Sequence, residues 1–223
     1  MIFTRKAYPE YICNMLIGLF DSGVGGLTVL AACRRALPGA RYLYLDDCAN
    51  CPYGGRTGEE ITALACDCAD VLIRVGCDAV VIACNTATAA AASVIRARYP
   101  DKTVLGIEPA VKPALAAVKG RVLLLATPAT AALRRYGSRV IVGAEPRLAG
   151  EIERAYGDPE ALRALASATL AKYSGYSAVV TGCSHYAHLI PYIPCPVFDG
   201  ADGVARLLAS KFAGRPSAEA EAQ

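Results

Sequence analysis

The chain has no block of more than two consecutive lysines or arginines, and its 223 residues carry a net charge of only +3. Without a basic stripe there is no electrostatic footprint for nucleic acid or for an anionic membrane surface, so neither is expected as a partner. Long apolar runs are also lacking. Asp, Arg, Asn or Pro interrupts each one well short of the roughly 20 residues that a spanning helix needs. Residues 1–16 carry Arg5, Lys6 and Glu10 and no continuous apolar segment, so no secretory signal is expected there. Two chemical signatures are missing as well. No Walker Gly-Lys-Ser/Thr follows the glycine-rich turn at 21–26, which argues against a phosphate cradle. No lysine stands in a strand-end motif, which argues against a pyridoxal phosphate Schiff base. Neither a cofactor nor a metal is expected.

What is present is an apolar composition of 54% and ten cysteines. The first is enough for a substantial core in one domain or two small ones. The second would fit a secreted disulfide scaffold, but without a signal segment the cysteines read as reduced thiols of a cytoplasmic protein. Cys33, Cys66, Cys68 and Cys77 read as small core residues. Cys48 and Cys51 have a CxxC spacing, with Cys66 and Cys68 beyond, which leaves a zinc or thiol-redox protein as an alternative. Met15 reads as a candidate start, with 1–14 as an N-terminal extension.

Strand-like and helix-like stretches alternate almost throughout. Strands are expected at 16–20, 41–45, 78–83, 103–107, 121–126, 138–142, 177–181 and 196–198. Helices are expected at 26–36, 58–75, 87–98, 109–118, 128–136, 147–155, 159–173, 186–193 and 200–212. Single helices between strands predict parallel βαβ units, hence an α/β protein. The tail 214–223 has no apolar face and reads as disordered.

Two segments resemble each other. Asp78-Ala-Val-Val-Ile-Ala-Cys84-Asn-Thr and Ser177-Ala-Val-Val-Thr-Gly-Cys183-Ser-His are both β-branched runs that end in a cysteine followed by small polar residues. Lying about a hundred residues apart, they predict two pseudo-symmetric lobes, each an open parallel sheet with flanking helices, which offer one thiol each to a shared cleft. A thiol at the carboxyl end of a strand and beside a helix N-terminus is expected to favour its thiolate. Two of them suit acid/base work on opposite faces of a substrate. The alternative is a chance likeness of two buried strands.

Around these thiols stand further candidates. Asp21 and Ser22 follow the first strand at a glycine turn, where Asp21 fits an ammonium ligand or a proton-transfer partner, or simply a helix cap. Pro52 stiffens the loop that holds Tyr53 and Gly54, while Thr57 and Glu60 read as a capping box. Asn85 and Thr86 offer donors beside Cys84, and Thr127 and Thr130 offer hydroxyls at another strand end. His185, two residues past Cys183, titrates near neutrality and would lower the thiol pKa. His188, one helical turn on, reads as facing solvent or the flank of its helix.

Taken in order, Ile17-Gly-Leu-Phe-Asp-Ser-Gly-Val-Gly-Gly-Leu-Thr-Val, Pro52-Tyr-Gly, Ala83-Cys-Asn-Thr-Ala, Gly106-Ile-Glu-Pro and Gly182-Cys-Ser-His-Tyr resemble the glutamate racemases of the aspartate/glutamate racemase superfamily. The likeness runs from about 16 to 212. It implies a first lobe over 15–107 completed by 197–213, a second lobe over 108–196, and the active site in the inter-lobe cleft. It further implies a homodimer and a cofactor-independent enzyme that supplies D-glutamate for peptidoglycan. By the same resemblance Cys84 and Cys183 are the two bases, with Asp21, Glu153 and His185 as auxiliary acid/base residues. Substrate would be held by Asp21-Ser22, Tyr53-Gly54, Asn85-Thr86, Ser184-His185, Thr127 and Thr130. Asn50, Ala129, Leu133 and Glu145 depart from the family pattern, and 140–180 is shorter than usual. An aspartate racemase and a non-catalytic binding protein of the same fold are the competing readings.

Overall fold

The computed structural model describes residues 14–132 and 136–212. The expectations for the N-terminal extension (apart from Asn14), for the tail from 214 and for Leu133 fall outside these residues.

The strands are β1 Leu16–Asp21, β2 Arg41–Asp46, β3 Ala79–Ile82, β4 Thr103–Gly106, β5 Val122–Ala126, β6 Val140–Ala144, β7 Ala178–Gly182 and β8 Val197–Asp199. The α-helices are α1 Gly26–Ala36, α2 Gly58–Arg74, α3 Asn85–Arg98, α4 Val111–Ala117, α5 Pro128–Ala132, α6 Leu148–Ala155, α7 Pro159–Leu170 and α8 Ala201–Phe212. Two four-stranded sheets form, in the orders β2-β1-β3-β4 and β6-β5-β7-β8, and every pairing in both is parallel. Counted from each sheet's own first strand, both orders read 2-1-3-4. The duplication visible around the two cysteines is therefore a duplication of topology.

Sheets of this kind are covered on both faces, which is why β3 and β5 are apolar and fully buried along their whole length. On one face of the first sheet Ile17, Leu19 and Val81 pack with Val29 of α1 and Leu208 of α8. On the other, Phe20, Val80 and Ile82 pack with Ile61 and Leu72 of α2 and Ile95 of α3. In the second sheet Leu123, Leu125 and Val179 meet Ile152 of α6 and Leu162 of α7, while Val122, Leu124 and Val180 meet Ala114 of α4. Local signals set the helix starts. The Thr57 hydroxyl accepts from the Glu60 N–H and the Glu60 carboxylate accepts from the Thr57 N–H, so the expected capping box opens α2. Asp158 caps α7, whose first residue is Pro159.

Two expectations need correction. The segment 197–213, read as completing the first lobe, is divided. β8 pairs with β7 and extends the second sheet, and only α8 returns to pack on α1. The helix expected at 186–193 is a 3-10 helix over Ser184–Tyr192, with Pro191 inside it. Proline has no N–H to give an α-helical bond, and the tighter turn tolerates it better.

The chain thus crosses between lobes twice, once from β4 to α4 and once from β8 to α8. The crossings touch. A Cβ on Gly200 would run into the Glu108 carbonyl oxygen and come within 2.8 Å of Ile107. In each lobe the connections leave the first and third strands toward opposite sides, which opens a crevice at the carboxyl ends of β1 and β3, and of β5 and β7. Asp21, Cys84, Thr127 and Cys183 stand at those four ends.

Candidate active site

Cys84 occupies the N-cap position of α3, where its Sγ accepts from the Ala87 N–H at 3.5 Å and lies 3.7 Å from the Ser22 hydroxyl. Burial pushes its thiol up to about 12, and the charges of Asp21 and Cys183 add to the rise. The helix terminus that was expected to favour a thiolate is outweighed by the loss of water around the sulfur. Cys84 therefore holds a proton at neutral pH.

Asp21 is fully buried at the end of β1. Its Oδ2 accepts from the Gly26 N–H at 2.7 Å; the N-cap position itself is held by Gly25, so Asp21 is not the cap but does satisfy the first N–H of α1. The same carboxylate also takes the Ser184 hydroxyl at 3.1 Å on each oxygen, a bond that crosses from one lobe to the other. Burial raises its pKa against the opposing influence of His185. Asp21 reaches Cys84 through its charge, whereas Ser22 is the residue that touches the sulfur.

Cys183 ends β7, with its Sγ 3.9 Å from His185 Nδ1. His185 Nε2 lies 2.5 Å from Glu153 Oε2 and 3.9 Å from Cys51 Sγ. Burial alone would lower the His185 pKa. Hydrogen bonds with Cys183, Cys51 and Glu153 outweigh it and hold the imidazolium well above its usual range. Glu153 is correspondingly lowered, first by its bond to His185 and further by the Val24 N–H, which donates to Oε2 at 3.1 Å. As an imidazolium, His185 donates from both ring nitrogens, one toward Cys183 and one to Glu153.

The remaining candidates line the same crevice. The hydroxyls of Thr86, Thr127 and Thr130 form a closed triangle across the lobes, at 3.0, 3.3 and 3.0 Å. Tyr53 is buried and donates to Asp47 at 2.5 Å, and Gly54 fits against Thr127 so closely that a Cβ there would lie 2.9 Å from the threonine side chain. Asn85 is buried, and its Oδ1 has no hydrogen-bond partner among the described residues. The lobes also approach closely at Gly25, where a Cβ would overlap the backbone of Ser184 and His185. All thirteen sequence candidates thus gather at the facing strand ends.

Sequence reasoning missed four contributors. Asp47 receives Tyr53, and the Tyr44 hydroxyl donates to the Gly23 carbonyl at 2.6 Å, fixing the glycine turn. Of the two settings expected for His188 it takes the helix flank, half-buried, with Nε2 3.3 Å from the Val24 carbonyl and its ring edge-on to Tyr156. Cys51 lies beside His185, its Sγ 3.9 Å from Nε2, while Cys48 is exposed. Cys66 and Cys68 are two apart on α2 and point to different sides, and Cys68 instead approaches the Tyr53 hydroxyl at 3.9 Å. The position of Cys51, next to the Pro52-Tyr53-Gly54 loop, was the available signal.

Comparison with known proteins agrees with this geometry. A family model described as Asp/Glu/Hydantoin racemase matches residues 27–208. The glutamate racemase of Roseiflexus sp. (strain RS-1) is 42% identical over 86% of this chain and 78% of its own length. That of Pseudomonas aeruginosa (strain UCBPP-PA14) is 42% identical over 86% and 79%. Among solved structures, the glutamate racemase of Thermus thermophilus in complex with β-chloro-D-alanine superposes with a TM-score of 0.72 at 34% identity, covering 94% of this chain and 82% of that one. The Escherichia coli enzyme in complex with L-glutamate and the activator UDP-MurNAc-Ala gives 0.75 at 27% identity, covering 92% and 84%. With two 2-1-3-4 sheets, a thiol at the third strand of each and this match over most of its length, the chain belongs to the Asp/Glu/Hydantoin racemase family.

Proposed function

We propose that this chain is a cofactor-independent racemase that interconverts L- and D-glutamate, with Cys84 and Cys183 as the two proton carriers. The observation that carries the reading is the placement of one buried thiol at the same point of each repeated sheet, facing a common crevice. Racemisation removes a weakly acidic α-proton from one face and delivers a proton to the other. Two fixed groups on opposite lobes do this without a swinging base. In one direction Cys183 takes the α-proton and Cys84 gives its own to the opposite face of the carbanion. In the other the roles exchange, and each turnover leaves the two thiols with one proton between them, on the other sulfur.

Supporting roles follow from chemistry. The His185–Glu153 pair supplies and receives charge beside Cys183. Asp21 attracts the substrate ammonium and biases Cys84 by its charge. The unpartnered acceptor of Asn85 would also take the ammonium, while Ser22, Thr86, Thr127, Thr130, Ser184 and the Tyr53-Gly54 loop would hold the carboxylates. The relatives named glutamate racemases favour glutamate as substrate. A homodimer, a cytoplasmic location and supply of D-glutamate for peptidoglycan belong to the same reading. Among the described residues no helix is long and apolar enough to cross a membrane.

The test is incubation of purified protein with L-glutamate and L-aspartate separately, without added cofactor, followed by chiral chromatography. D-Glutamate should accumulate to a one-to-one mixture. Racemisation of aspartate alone would move the substrate assignment, and no turnover of any acidic amino acid would leave a binding protein of the same fold.

A further inference from the structure

The donor atoms of Cys51, Glu153 and His185 all lie within 4.8 Å of one another, and among the described residues this is the one grouping of three metal-ligating side chains. Cys51 comes from the loop between β2 and α2, in the first lobe. Glu153 is on α6 and His185 in the 3-10 helix, both in the second lobe. Sulfur, imidazole nitrogen and carboxylate oxygen together are a donor set for zinc; calcium and magnesium would call for oxygen throughout. We propose that Cys51, Glu153 and His185 form an inhibitory zinc site that closes across the cleft, with a fourth coordination position left for water.

Zinc bonds of about 2.0–2.3 Å place neighbouring donors of a tetrahedral site at about 3.3–3.6 Å from one another. Cys51 Sγ and His185 Nε2 are 3.9 Å apart and need to close by only a few tenths of an ångström. Glu153 Oε2 must swing outward from its 2.5 Å hydrogen bond to make room for the ion. Binding then exchanges charge for protons: the Cys51 thiol and the His185 imidazolium each release one, and the ion joins a thiolate, a neutral imidazole and a carboxylate. The cost to catalysis is direct. Zinc replaces the proton on Nε2 and draws Glu153 away from it, so His185 can no longer exchange that proton, and a ligand from each lobe ties the cleft shut. This inhibition rests on the racemase reading, but the binding itself does not.

The full chain would be titrated with zinc sulfate in the absence of substrate, with bound metal measured by equilibrium dialysis and cobalt(II) used as a spectroscopic substitute. One zinc per chain is expected, together with a thiolate-to-cobalt absorption band. Cys51→Val should weaken binding by more than about a hundredfold, since even outer-shell partners are worth about 10–100-fold; it should also remove the cobalt band. Cys48→Ser should change neither, and circular dichroism confirms that both variants fold. The ratio of glutamate racemisation with and without zinc should fall steeply for the unaltered protein and stay near one for Cys51→Val. Undiminished binding by Cys51→Val, or no stoichiometric binding at all, overturns the site. Binding through Cys51 by a protein that racemises nothing even when metal-free would leave the site standing and remove the racemase reading instead.

Discussion

The chemistry of single residues centres on sulfur in two settings. Cys84 is buried among groups that oppose its ionisation, while Cys183 stands beside an imidazolium held by Glu153. If both carry protons in turnover, Cys84→Ala and Cys183→Ala should each lower racemisation by at least about 10²–10⁴-fold, the usual worth of a positioned acid or base. The corresponding serine variants should retain α-proton exchange on one face only, read by deuterium wash-in on each enantiomer. Full racemisation by either alanine variant would exclude a two-thiol route. Asp21→Asn and His185→Asn should slow the two directions unequally, because each biases one half of the transfer. The equilibrium between enantiomers is fixed at unity, so KM must move with kcat to keep the two efficiencies equal. Equal losses in both directions that track thermal melts would mark these residues as structural.

Cys84 also makes a pH prediction whose sign is fixed. Its pKa rises from the 9.0 of a freely solvated cysteine to about 12 in the fold. The folded protein therefore binds a proton more tightly than the unfolded chain does between those values. The associated stability is fully present below 9.0 and is lost as pH climbs toward about 12. Cys84→Ala should flatten this alkaline part of a melting-temperature profile relative to the unaltered protein. At neutral pH, alkylation of Cys84 followed by peptide mass mapping should be slow and should accelerate with rising pH.

At the scale of elements, close approach does the positioning. Gly54→Ala would push a methyl into Thr127, with an expected cost of about 1–3 kcal/mol and a raised KM for glutamate, because the threonine triangle shifts with it. Thr57→Ala should lose about 0.5–2 kcal/mol from the start of α2 and leave kcat alone, since the capping box lies outside the crevice. The elements themselves were legible. The eight strands lie at or within two residues of where apolar runs stand between turn residues. The signal is plainest in β3, β5 and β7, which are covered on both faces, and weaker in the more exposed β2 and β6. Cys84, Cys183 and Asp21 were legible for the same reason, as reactive residues at strand ends. Partnerships were not. Nothing near Cys51 in the chain announces His185, 134 residues away, and nothing near Val24 announces Glu153, 129 residues away. The destination of β8 was hidden too, since a three-residue strand carries too little pattern to choose a sheet. The pKa of Cys84 eluded sequence because it is set by how completely packing removes water from the sulfur, which a strand-end position does not reveal.

For the whole molecule, ligand and fold are linked. Glutamate at about a hundredfold excess over its Kd should stabilise the folded chain by about 2.7 kcal/mol, and calorimetry should record a smaller shift with aspartate at the same concentration. The lobes already hold one another: Ser184 fills both oxygens of Asp21, Glu153 takes the Val24 N–H, and three threonine hydroxyls satisfy each other across the gap. Apart from the Asn85 amide oxygen, most of the polar groups proposed to meet a substrate are thus engaged with the protein itself. On the proposed reading a substrate that enters here competes with these internal bonds, and its affinity is scaled down by the fraction of molecules in which they are open. A ligand that carries an ammonium and two carboxylates is then expected to bind better than an amino acid that can replace only some of these bonds.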